Sequence, residues 1–150
     1  MEKITRLKNL IAIPVLFILT ASVLAQEVNY WKHMADVEIK IKPDPSGKYE
    51  VEYPIFGEKA RTINGEMISL KGYMVPLKEF TGHRYFVLSA YPFNMCFFCG
   101  AAGPETVIEV YSKEEIEFTD DKIIISGRLK LNTDNPDHLM YLLEDAFLID

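Results

Sequence analysis

The sequence predicts a mostly β fold: a small closed barrel of about five strands, with a hairpin and lead-in segment added at its N-terminal side. Residues 67–149 divide into five short runs rich in apolar and β-branched residues, separated by turn-forming stretches. The first and fourth runs each carry an internal glycine, Gly72 and Gly127, where a strongly coiled strand can turn a corner. The OB-like barrel is the smallest common closed solution of this kind, and a β-sandwich is the alternative arrangement of the same strands.

The elements follow in order. Residues 29–35, with Trp31 among them, form a lead-in that packs its aromatic ring against the body. Residues 37–41 alternate apolar and charged, as do 48–53, and Pro43-Asp44-Pro45-Ser46-Gly47 between them is a turn, so a hairpin is expected. Residues 54–63 suit a short helix or an ordered loop, and Asn64-Gly65 is a tight-turn signal. The barrel strands are expected over residues 67–77, 85–90, 106–111, 123–131 and 141–149. The turn Thr81-Gly82-His83-Arg84 leads into the second of them, and residues 112–122 are charged and suit a helical turn. The chain thus divides into a leader over residues 1–25, an extension and hairpin over 26–53, and an OB-like domain over 54–150.

The leader reading rests on Lys3, Arg6 and Lys8, an apolar run over residues 10–23, and Val23-Leu24-Ala25 as a cleavage site, so the mature chain is expected to begin at Gln26. An uncleaved anchor is the alternative, but the run is short of the roughly 20 residues that span a bilayer, and Pro14 interrupts it. Delivery to the periplasm or full secretion follows, with no stable membrane insertion after cleavage. Cleavage would remove three basic groups and one acidic group, taking the formal charge from −6 to −8. That acidic balance speaks against nucleic acid as a partner, because phosphate backbones are bound by clustered Lys and Arg.

Cys96-Phe97-Phe98-Cys99-Gly100 holds both cysteines of the chain. Two intervening residues let both sulfurs face one point, and a left-handed glycine after the second aims amide N–H groups at sulfur, the geometry of a metal knuckle. A structural zinc site takes two such knuckles and this chain has one, so further ligands must be His or carboxylate. Glu105 lies six positions past Cys99, His83 precedes the strand that leads into the knuckle, and His138 comes from the loop before the last strand. Soft thiolates with borderline ligands favour zinc. A plain disulfide is the structural alternative, although so small a loop gains little from closure. A redox-active pair is another, but glycines and Pro104 follow the pair where a thioredoxin-like site has a helix.

No nucleophile elbow, phosphate loop or His-Glu-x-x-His motif is present. Glu114-Glu115 and Asp120-Asp121 read as a solvated face, and Asp134, Asn135 and Asp137 lack the spacing of a calcium loop. Aromatic residues crowd the knuckle: Phe80, Tyr85, Phe86, Tyr91, Phe93, Phe97 and Phe98. Most should fill core positions. Phe97 and Phe98 are adjacent, so one of them should face outward to shield sulfur or meet a partner.

Leu70-Lys71-Gly72-Tyr73-Met74-Val75-Pro76, then Phe86-Val87-Leu88-Ser89, then Cys96-Phe97-Phe98-Cys99-Gly100 with Gly103-Pro104-Glu105, resembles an exported bacterial family of small proteins catalogued as a domain of unknown function. The resemblance covers residues 54–130. It implies an OB-like barrel, encoded beside export or metal-uptake transporter components, with Cys96, Cys99 and Glu105 as the residues that matter. Many members look lipid-anchored, whereas no cysteine follows the apolar run here. The expected function is that of a non-catalytic metal-binding accessory protein of the envelope, with an envelope transporter component as partner. A thiol–disulfide protein and an interaction module with structural cysteines are the alternatives.

Overall fold

The computed structural model describes residues 28–44, 46–75 and 83–149. The expected leader and cleavage site, Pro45 of the hairpin turn, Pro76 and Leu77 of the first barrel strand, Phe80 and the Thr81-Gly82 turn lie outside the described residues.

Tyr30–Met34 forms one helical turn, α1. Its Trp31 indole donates to the Lys71 carbonyl at 3.0 Å, and Met34 is fully buried, so the lead-in packs as the sequence predicts. Val37–Pro43 (β1) and Glu50–Phe56 (β2) pair antiparallel, from Val37 opposite Phe56 to Pro43 opposite Glu50. Asp44 organises the turn between them. Its carboxylate accepts the Ser46 hydroxyl at 2.6 Å and the Lys48 and Tyr49 amides at 2.9 and 3.1 Å. Those bonds, Ser46 first, hold the carboxyl down to about 2. β2 runs through Pro54 to Phe56, past its expected end at Tyr53. A two-stranded ribbon has a free edge on each strand, so the missing N–H costs no ladder bond. Glu58–Thr62 then makes the short helix α2.

Five strands close the barrel: Met67–Val75 (β3), His83–Ser89 (β4), Val107–Ile116 (β5), Ile123–Leu131 (β6) and Tyr141–Ile149 (β7). Their order is β3-β4-β5-β7-β6, with β6 returning to β3. β5 and β7 run parallel and every other pair is antiparallel. The fold is therefore a small OB-like barrel and not a sandwich. Gly72 marks the corner: β3 pairs with β6 up to this residue and with β4 from Tyr73 onward. A Cβ at Gly72 would sit 2.5 Å from the Ser89 carbonyl oxygen, closer than any side chain permits. Gly127 lies within the register shift between Ser126 and Arg128, where β6 bends against β7. Both glycines stand where the sequence places barrel corners.

Residues 112–116 differ from expectation. They continue β5 instead of forming a helical turn, because Ser112 pairs with Ala146 and Ile116 with His83. Flanking strands on both sides override the local preference of a charged segment.

Leu70, Phe86, Leu88, Ile108, Ile125 and Leu143 fill the barrel interior. Met34, Phe56, Ala60 and Ile63 join the same cluster, so α1, α2 and the end of the hairpin share the barrel's core. Tyr141 ties them together by donating its hydroxyl to the Met34 carbonyl. At about 2 kcal/mol for a buried Met or Phe side chain, this shared burial makes the lead-in integral to the domain. A second apolar cluster lies on the opposite side of the sheet. Val75, Val87 and Val107 are buried there under Phe97 and Leu139, which arrive from two different loops. Among the described residues no helix is long and apolar enough to cross a membrane.

Candidate functional site

The loop between β4 and β5 carries both cysteines and lies over the valine cluster. Its base is pinned where the Ala90 amide donates to the Thr106 carbonyl at 2.9 Å, and the buried Ser89 hydroxyl accepts the Tyr91 amide at 3.1 Å. Between these points the chain winds through 3-10 turns at Phe93–Met95, Phe97–Cys99 and Pro104–Thr106. Short turns suit this segment because Pro92, Gly100, Gly103 and Pro104 forbid a longer helix.

Cys96 is fully buried and Cys99 is exposed, and both are free thiols. Gly100 takes the left-handed conformation expected of it, with φ of 75°. The amides do not follow the expected knuckle pattern, however. Cys99 N–H donates to the Cys96 carbonyl at 3.1 Å and Gly100 N–H to the Phe97 carbonyl at 2.8 Å. The 3-10 turn uses these donors on backbone oxygen. The Cys99 thiol donates to the Phe93 carbonyl at 2.9 Å. Partial shielding from water by the surrounding loop, then the neighbouring Cys96 thiol, pushes the Cys99 pKa above that of an ordinary thiol. In this state Cys99 is a protonated thiol, and a metal or partner must displace its proton before it can act.

The other expected ligands are placed apart from the thiols. Glu105 sits in the Pro104–Thr106 turn with its carboxylate folded against the Gly103 α-carbon, and its charge is felt at Tyr141, where it helps raise the phenol's pKa. That places it toward α1. His83 opens β4 opposite Ile116, while the cysteine loop begins beyond Ser89 at the strand's other end, about 20 Å along extended chain. Among the described residues no three His, Cys, Asp or Glu side chains gather as a metal site would need. The structure thus brings Cys96 and Cys99 together and leaves Glu105 and His83 away from them.

His138 belongs to a different constellation, centred on a residue that sequence reasoning passed over. Glu109 faces outward from β5 but is 3% exposed, because residues 132–140 fold over it. One carboxylate oxygen accepts the Leu139 amide at 2.6 Å. The other accepts the Tyr111 hydroxyl at 2.7 Å and lies 3.0 Å from His138 Nδ1, which donates in the tautomer this contact selects. Tyr85 stacks at a tilt on Tyr111, ring centroids 5.1 Å apart. Burial, then the Glu109 carboxylate, pushes both phenols above the ordinary tyrosine pKa. Tyr111 and His138 border an open groove of about 570 Å³ that also includes Asn132, Asp134 and Glu144. The signal for this cluster was a carboxylate inside Val107-Ile108-Glu109-Val110-Tyr111, at a position flanked on both sides by apolar residues.

The expectation that most of the aromatic residues near the cysteines fill the core fails, because Tyr85, Tyr91, Phe93 and Phe98 are exposed and, of those described, only Phe86 is fully buried, whereas the adjacent pair divides as expected. Phe97 packs inward on the valines and Phe98 is half-exposed, their rings meeting edge-on at 5.3 Å. Tyr91, Phe93 and Met95 are also about half-exposed around the thiols. Compared with family models, curated proteins and solved structures, the chain finds no match in any of the three.

Proposed function

We propose that this is an exported, non-catalytic accessory protein of the bacterial envelope that binds a thiophilic metal ion through Cys96 and Cys99. The observation that carries this reading is a pair of unbridged, neighbouring thiols on a loop pinned at both ends and backed by its own apolar cluster. Ligands whose positions the fold already fixes raise metal affinity, since little ordering entropy is left to lose on binding. The basic and apolar leader and the acidic balance of the sequence support the setting. Zinc is the first ion to test. It takes four ligands, so two would come from outside the pair: Glu105 after swinging off Gly103, or side chains of a partner such as an envelope transporter component.

The burial contrast favours one second reading, a thiol–disulfide protein in which exposed Cys99 attacks and buried Cys96 resolves. The raised Cys99 pKa weighs against it, because attack requires the thiolate. Metal analysis of anaerobically purified full-length protein, together with thiol trapping in cells, tests both. Bound metal with two trappable thiols is the expected result. No uptake of zinc or another soft ion at micromolar concentration, with a Cys96–Cys99 disulfide in cells, would hand the site to the redox reading.

A further inference from the structure

We propose that the ion held by this thiol pair is monovalent copper, bridging Cys96 Sγ and Cys99 Sγ with the Met95 thioether as a weaker third donor. The inference rests on the thiol-metal reading above and specifies its metal.

The first argument is donor count. Zinc prefers four ligands in a tetrahedron, whereas monovalent copper is satisfied by two or three soft sulfur donors. Among the described residues no third His, Cys, Asp or Glu gathers with the thiols, so zinc would need Glu105 of the same loop to move or a partner to supply donors. The donor next to the thiols along the chain is sulfur. Met95 directly precedes Cys96 and closes the Phe93–Met95 turn, which packs on the Phe97–Cys99 turn.

The second argument is the exposure of that methionine. Methionine ordinarily fills gaps in apolar cores. Met95 is 53% exposed and belongs to neither buried cluster, so packing does not account for it. As a thioether donor it has a use, since soft sulfur selects copper in its lower oxidation state.

The third argument is the burial gradient across the three sulfurs. Cys96 is fully buried and anchored, while Cys99 and Met95 face solvent among Tyr91, Phe93 and Phe98. An ion held by one fixed and two accessible donors can pass to a partner's sulfurs one ligand at a time. The fixed thiolate keeps it bound while the aromatic side chains limit water around it. Binding exchanges two thiol protons for one Cu(I) and involves no electron transfer, so the copper must arrive already reduced.

The test is an anaerobic titration of the reduced full-length chain with Cu(I) presented as its bicinchoninate complex. A parallel titration presents zinc in a chromogenic zinc chelator. The chain should withdraw about one equivalent of Cu(I) and leave zinc with its chelator. Cys99→Ser, at an exposed position where folding is not at stake, should lose Cu(I) retention. Met95→Leu should weaken Cu(I) by about tenfold with the thiol titre unchanged. Retention of zinc in preference to Cu(I) would overturn the copper inference and leave the thiol-metal reading standing. Retention of neither would remove both. Undiminished Cu(I) binding by Cys99→Ser would overturn the bridged site, and undiminished binding by Met95→Leu would remove the thioether from it.

Discussion

Glu109 and Cys99 lie on the same outer side of the barrel, one on β5 beneath the loop of residues 132–140, the other on the loop between β4 and β5. Their surroundings are opposite in kind. The Glu109 carboxylate is buried and takes donors from Tyr111, His138 and Leu139. Asn132 fixes the loop above it by donating to the carbonyls of Asn135, His138 and Leu139. The Cys99 thiol is exposed and gives its one proton to a carbonyl of its own loop. A buried carboxylate held by three donors has little left to offer a ligand, and removing it strands those donors. A lightly bonded thiol costs the fold little and keeps its chemistry free. The first group therefore holds structure, and the second is where function should be sought.

The largest break in this comparison should come from Glu109→Ala. It leaves the Leu139 amide and the Tyr111 and His138 side chains facing an empty place, so we expect about 3 kcal/mol of lost stability in urea unfolding. A neutral result would mean that water replaces the carboxylate and that the cluster is not structural. The cysteines should then separate from each other. Cys96→Ser puts a hydroxyl in a fully buried site and should cost about 1–2 kcal/mol. Cys99→Ser should stay within about 0.5 kcal/mol of the parent. Equal losses at both would show that the exposed thiol is as structural as the buried one.

The smallest effect is one of pH. Tyr85 and Tyr111 have raised pKa values in the fold, so the stability they contribute is complete below the unfolded tyrosine value of about 10 and is lost as pH rises beyond it. Denaturation midpoints should be level from about pH 7 to 9 and fall above about 10. Tyrosinate absorbance from these rings should lag behind that of free tyrosine. Ionisation of both at the ordinary pH in folded protein would mean that neither burial nor the Glu109 carboxylate holds their protons.

The same contrast explains what could be read from the chain in advance. Period-two runs, turn residues and the two corner glycines act locally, and each of the five barrel strands lies within a few residues of its expected place. Residues 112–116 were misread because their strand character comes from neighbours distant in sequence. The cysteine pair was legible because its ligands are three residues apart. Glu105 and His83 were assigned by proximity in sequence, and the barrel carries one toward Tyr141 and sets the other at the far end of β4. Glu109 and His138 were illegible as a pair because 29 positions separate them and only closure of β7 beside β5 brings their segments together.

Trp31 is the only tryptophan in the chain, and its indole is bonded to the residue just before the corner glycine of β3. Its emission is therefore a site-specific optical gauge of whether α1 is docked at the point where β3 passes from one partner strand to the other. The thiol loop reaches α1 through its Pro104–Thr106 turn, so titrating the cysteines while watching Trp31 reports whether an event on the outer face is carried to the barrel seam.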